Sequence, residues 1–259
     1  MKKYLMILTA ALVWACSGNK EGENTETMGG IDVEGAIKDA ESRRKADPNA
    51  SGGNKCLLDY QVKLDQLLTA EMVTRATGFS ESGMDSTYRK IMGPAYHEVQ
   101  YEFKNGRKGK VRGLTGEYEL KDFVAVGSVK PMSLTQFEDS YRVITEEEEK
   151  LAKDSFNDVV EGKSGEADEA LNQLKKSDIS KETIKKSGGA LMSAFKEVSE
   201  GYRVEKGLGD AARWNITTHR MTVLQNGVQF ELTVEVSNDT EKNRETAVAI
   251  AKEILKRCP

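Results

Sequence analysis

The chain has 259 residues and a formal charge of −4, with 38 Lys and Arg against 42 Asp and Glu. That mildly acidic balance argues against nucleic acid or anionic membrane surfaces as partners. Two His, three Cys and 7% aromatics leave little material for a zinc motif, a Cys-x-x-Cys redox pair or the aromatic ladder of many carbohydrate binders. In chain order, Lys2 and Lys3 come first, an apolar run of about eleven residues spans Tyr4 to Trp14, and Ala15 precedes Cys16. This is the three-part form of an export signal. The run is shorter than the ~20 apolar residues a bilayer core requires, and no later segment approaches that length without charges.

The stretch LVWAC (residues 12–16) resembles the lipobox of bacterial lipoproteins, with Val13 at the aliphatic position, Ala15 at the small one and Trp14 between them. The resemblance implies cleavage before Cys16, a diacylglycerol thioether on its sulfur and palmitate-type acylation of its new amine. Several chains are needed because each buried CH₂ contributes about 0.8 kcal/mol and one chain alone holds only marginally. The alternatives are ordinary signal-peptidase cleavage of the same Ala15–Cys16 bond and an uncleaved helix. Ser17 after the cysteine, with Lys20 and Glu21 close behind, is similar to Bacteroidota lipoproteins and implies the outer membrane of the cell envelope. Loss of residues 1–15 removes two lysines and takes the charge from −4 to −6.

Residues 16–54 read as a flexible tether. SGNKEGENTETMGG is polar and without aromatics, and a short helix is expected at Ile31 to Ala46. As a coil, this length would span roughly 35 Å. Residues 55–259 are long enough for one well-buried core and are expected to form a single α+β domain.

Within that domain, Thr69 as N-cap and Gly78 at the stop frame a first helix. YHEVQYEFKNGRKGKV alternates His97, Val99, Tyr101 and Phe103 with polar residues and reaches Asn105-Gly106, which predicts a hairpin. A further strand is expected at Glu117 to Val126. NGRKGKVR (105–112), the only basic concentration, is read as a solvated edge or, less naturally, a binding patch. Ser133 and Gln136 make a capping box that opens a long helix with Leu134, Phe137, Tyr141, Ile144 and Leu151 on one stripe and EEEE (146–149) on its wet face. A short helix at Glu166 to Lys175 should follow. A longer one runs from Lys181 to Glu200 with Ile184, Leu191, Phe195 and Val198 inward. HRMTVLQNGVQFELTVEV is a second, stronger hairpin signal. A type I′ turn at Asn226-Gly227 sets Val223 opposite Phe230 and Met221 opposite Leu232, with Thr222, Glu231, Thr233 and Glu235 on the other face. Thr240 to Arg257 completes the chain as a helix burying Ala247, Ala251, Ile254 and Leu255. The predicted architecture is therefore an antiparallel sheet built from hairpins, with helices packed on one face.

Cys56 and Cys258 bracket the globular part. In an oxidising envelope they are disulfide candidates, with two buried thiols or reactive chemistry as alternatives. His97 and His219 both fall in the apolar register of a strand, where a structural histidine competes with a shared metal or acid–base site. GLGDAARW (207–214) lacks the third glycine of a dinucleotide loop. It reads as a tight turn with Asp210 capping it and Trp214 packing on the core. Together with LLTAEMVTRATG (67–78) and the Ala-rich last helix, it resembles small bacterial lipoproteins of PsbP-like α/β sandwich fold. These have no established biochemical activity, and this chain departs from them by the charged helical region around 145–180.

No Gly-x-Ser-x-Gly, His-Glu-x-x-His or Walker loop is present, so neither metal nor cofactor is expected. The leading expectation is a lipid-anchored binding or interaction module for a protein partner or small ligand. Its pocket would use Asp210, Trp214 and His219. The rivals are an envelope hydrolase built on carboxylates and histidine, and a structural envelope protein.

Overall fold

The computed structural model describes residues 53–90, 93–110, 114–161 and 180–259. Cys16, the signal segment and the helices expected at Ile31 to Ala46 and Glu166 to Lys175 lie outside them. In chain order the elements are α1 (Lys55–Asp59), α2 (Leu64–Leu67), α3 (Ala70–Thr77), β1 (Met84–Arg89), a 3₁₀ turn (Pro94–Tyr96), β2 (Glu98–Phe103), β3 (Lys108–Gly109), β4 (Tyr118–Glu119) and β5 (Asp122–Pro131). They continue as α4 (Leu134–Ser140), α5 (Glu146–Glu161), α6 (Lys181–Glu200), β6 (Tyr202–Val204), β7 (Ala211–Asn215), β8 (Arg220–Gln225), β9 (Val228–Glu235) and α7 (Thr240–Arg257).

Seven strands form one antiparallel sheet in the order β1-β2-β5-β9-β8-β7-β6, while β3 pairs with β4 apart from it. The α+β class expected from the sequence is present. The described residues fall into two compact units, one of 53–143 with 198–259 and one of 144–161 with 180–197.

In the first unit the β8–β9 hairpin follows the register its turn dictates. Asn226 and Gly227 take φ of 48° and 73°, as a type I′ turn demands. Val223 faces Phe230 and Met221 faces Leu232. These four side chains are fully buried, together with Val124, Val126 and Val234 from the central strands. Helices α1 to α3 and α7 cover that face with Leu57, Leu64, Leu67, Met72, Ala247, Ile250 and Ile254. Each of the Val, Leu, Ile, Met and Phe side chains contributes about 1.5–3 kcal/mol. The caps are those the sequence announces. Thr69 accepts from the Met72 amide at 3.3 Å, and Gly78 ends α3 at φ 73°. The opposite face is mostly polar, apart from Phe123 in β5 and the region near β7 and β8, where α4 lays Phe137 and Tyr141 against Leu224.

Three expectations are corrected. The predicted hairpin at Asn105-Gly106 does not form. Strand β2 pairs with β1 on one side and β5 on the other. RKGKVR has no apolar alternation to bury, so the more apolar DFVAV of β5 takes the central place. The strand expected at Glu117 to Val126 is split into β4 and β5. The long helix from Ser133 is also broken. Its capping box is present, but Thr145 and Glu148 form a second one, with bonds of 2.9 and 3.2 Å, that starts α5 anew. Leu134 and Leu151 are consequently exposed rather than on a common buried stripe.

In the second unit Phe156 sits against Gly188, where a Cβ would come within 2.0 Å of the ring. Lys185 pairs with Glu161 at 2.6 Å, and the Ser193 hydroxyl donates to Glu149 at 2.9 Å. Phe195, expected inward, is 54% exposed. The face α6 shares with α5 is the one carrying Gly188. No described helix is long and apolar enough to cross a membrane.

Candidate functional site

The polar face of the sheet holds a cleft of about 130 Å³ whose floor is written into β5. Beyond Phe123 on this face, β5 places Ala125 and Gly127 between longer residues on both neighbouring strands. One cross-strand row reads Glu98, Gly127, Glu231, Thr222; the next reads Gln100, Ala125, Thr233, Arg220. Small residues in the centre and long ones beside them make a trough. Gly127 is required there, because a Cβ would lie 2.9 Å from the His97 carbonyl oxygen. Directly after it the ladder with β9 is interrupted by a bulge, and Ser128 adopts φ 52°. Bulges and left-handed non-glycine residues of this kind concentrate near binding and catalytic sites.

Glu231 is the polar centre of this wall, its side chain 14% exposed. Its Oε1 accepts from the Tyr141 hydroxyl at 3.0 Å and from Gln229 at 3.4 Å, and Oε2 lies 3.4 Å from the Arg220 guanidinium. Burial, reinforced by the Glu231 carboxylate, holds the Tyr141 hydroxyl well above the ordinary tyrosine value, and the same causes raise Tyr202. These phenols thus stay protonated as donors beside the carboxylate. Thr222, directly across from Glu231, is fully buried, and its hydroxyl has no hydrogen-bond partner among the described residues.

A second polar cluster occupies the end of the sheet where β8 begins and β9 finishes. His219, at φ 47°, stacks on Trp214 with ring centroids 5.9 Å apart. Its Nδ1 lies 2.7 Å from Glu235 Oε1, and its Nε2 lies 3.1 Å from the Thr240 hydroxyl at the start of α7. Glu235 also approaches Arg107 at 3.9 Å, and Arg107 makes a short ion pair with the 3% exposed Asp122. Arg107 further donates to Asn238 at 2.7 Å, and Asn105 donates to Asp122 at 3.1 Å. The chain of carboxylate, imidazole and hydroxyl has the order of a proton relay. The Asp122–Arg107 pair braces it from behind.

Of the residues singled out from sequence, Cys56 and Cys258 form a disulfide, with Cα atoms 5.4 Å apart. Trp214 and His219 come together as described. Asp210 does not join them. It precedes β7, whose five residues at about 3.4 Å each carry the chain some 17 Å to its other end. At the Asp210 end of β7 the carboxylate instead accepts from the Asn226 amide at 2.5 Å, so it caps the β8–β9 turn. None of the three lines the cleft. Arg107, expected on a solvated edge, is half-buried and paired. His97 is buried, with no partner for its Nδ1 among the described residues and its ring edge-on to Tyr88 at 6.0 Å.

Sequence reasoning missed Arg220 and Glu231 as partners, although the hairpin register puts them on a diagonal of the same face. It also missed the trough, whose signal is the run of small residues in VAVGS. No family model matches the chain, and no curated protein or solved structure was found to be similar to it.

Proposed function

We propose that this protein is a lipid-anchored lipoprotein of the bacterial cell envelope, held to the outer membrane through acylated Cys16, and that it acts as a binding module. The observation that carries the binding role is the trough over Ala125 and Gly127, walled by the Glu231–Arg220 pair and bordered by the strained bulge at Ser128. Placement of the domain on its leash is consistent with this use. Asn54, the last tether residue, bonds to the Asn226 carbonyl at 2.8 Å and through its side chain to the Cys258 carbonyl at 3.2 Å. The chain therefore leaves the sheet at its Asn226 end. The Cys56–Cys258 bond suits an oxidising compartment.

The anchor is tested by intact mass of the membrane-fraction protein beside Cys16→Ser. The wild type should start at an acylated Cys16, and an unacylated chain or one retaining Met1 overturns the assignment. The binding role is tested by pull-down from detergent-solubilised envelope together with a ligand thermal-shift screen. It fails if neither yields a ligand or partner.

A second reading, an envelope hydrolase, is favoured by the Thr240–His219–Glu235 line. A fluorophosphonate probe should then add to the wild-type chain and not to Thr240→Ala. Absence of any adduct rejects the hydrolase.

A further inference from the structure

The cleft's own chemistry narrows its ligand, and the argument rests on the binding-module reading above. Its charges are already matched. Arg220 faces Glu231 at 3.4 Å, and on the opposite wall Glu98 is bonded to Arg89 at 3.1 Å. A ligand with net charge would have to break one of these pairs and leave its partner uncompensated. A neutral ligand that can donate to a carboxylate and accept from a guanidinium at once fits between them without that cost. Vicinal hydroxyl groups do this. Thr233 on the same wall and Ser128 at the bulge add hydroxyls to the lining, and Tyr96, 57% exposed, offers an aromatic ring at the rim. The volume of about 130 Å³ is well below the roughly 300–1,000 Å³ of sites that enclose drug-sized ligands. One ring fits, a chain of rings does not. The aromatic ladder that long-glycan binders use is not needed for a single ring.

We propose that the cleft binds a single neutral sugar ring, free or as the end residue of a glycan. The ring's adjacent hydroxyls would bridge Glu231 Oε2 and the Arg220 guanidinium, with one sugar face against Tyr96. The Tyr141 hydroxyl and Gln229 hold the carboxylate from behind through its other oxygen and so act as positioning residues.

The test is amide chemical-shift titration of the full mature chain in detergent with glucose, N-acetylglucosamine and maltotriose, against glutamate and phosphate as charged probes. Saturable shifts at Ala125, Gly127 and Thr233 with a sugar, and none with the charged probes, are expected. A stronger response to maltotriose than to glucose identifies a glycan end, and an equal response a free sugar. Glu231→Gln and Arg220→Ala should each weaken binding by about 10-fold, the size of a hydrogen bond to a charged group. Tyr96→Ala, a change at the exposed rim, should weaken it without altering thermal stability. Shifts produced by glutamate or phosphate but not by sugars overturn the sugar assignment and leave a binding cleft standing. Shifts with no probe overturn the cleft itself. Sugar binding that is indifferent to both Glu231→Gln and Arg220→Ala overturns the geometry proposed here.

Discussion

The two ends of the sheet are held by different physics. At the Asn226 end, the Cys56–Cys258 bond, the Asn54 contacts and the Asp210 cap join the first helix, the last helix and the β8–β9 turn. These are a covalent link and short hydrogen bonds that use backbone groups. At the His219 end, about 20 Å away along the six residues of β8, the corresponding work falls to side chains. Arg107, Asp122, Glu235, His219 and Thr240 form a chain of charged and polar contacts. One end is set by redox state; the other depends on complete pairing. A polar chain of this kind tolerates no missing member, because a buried charge left alone costs more than the pair contributed.

The largest effect should come from opening the covalent end. The Cys56→Ser/Cys258→Ser variant, or reduction, is expected to lose about 3–5 kcal/mol, given a closed loop spanning a sequence separation of 202. In thermal denaturation this is a fall of roughly 10 °C or more for a domain of this size. A midpoint indifferent to reductant would remove the contrast between the ends. Next is Asp122→Ala, which removes the nearest carboxylate partner of the 12% exposed Arg107 side chain. About 3 kcal/mol should be lost in urea unfolding, with little relief from added salt because the pair is sheltered from solvent. A loss that vanishes at high salt would show that the pair behaves as a surface bridge.

Tyr141→Phe removes the hydroxyl's bonds to Gln229 and Glu231 and should cost about 1–2 kcal/mol. It also carries a pH signature. The folded state holds the Tyr141 and Tyr202 protons more tightly than the ordinary value of 10.0, so above that pH the unfolded chain loses them first. Wild-type stability is therefore unaffected by these groups below pH 10 and declines above it. The decline should be shallower in Tyr141→Phe, and an identical alkaline slope would contradict the assignment. The smallest effect is expected from Lys104→Ala. Its bridge to Asp85, at 2.8 Å, is exposed on both sides and should leave the unfolding midpoint unchanged within error.

What could be read from sequence divides along similar lines. Local signals carried through. Asn226-Gly227 fixed the hairpin register, Thr69 and Gly78 framed α3, and the last helix has the bounds its pattern gave. Strand partnership did not carry through, because it is a competition. Asn105-Gly106 is a good turn signal, yet the segment behind it is too polar to win a place beside β2. A capping box opposes apolar periodicity at Thr145, and the caps won, which released Leu134 and Leu151 to solvent. The cleft was the least legible part. It arises from what β5 lacks on one face, and absence of side chains is visible only once the neighbours in the row are known. The sequence places His219 in the apolar register of β8, and the structure sets it just before that strand, stacked on Trp214. Its partners Glu235 and Thr240 were hidden by the assumption that strand alternation continues through it, whereas φ 47° breaks that alternation.

The joint between Asn54, Cys56, Cys258 and the Asn226 turn also sets how the domain bears tension. A pull on the chain ahead of Asn54 enters the fold within a few residues of Cys56 and passes through the disulfide to the C-terminal end of α7, the long helix packed across β8 and β9. The load is thus shared by the β8–β9 turn and both chain ends before it reaches the strands around Gly127. The strands of the cleft lie beyond this clamp. Under the anchoring proposed above, a pull on the chain ahead of Asn54 is met by this clamp and not by the strands around Gly127.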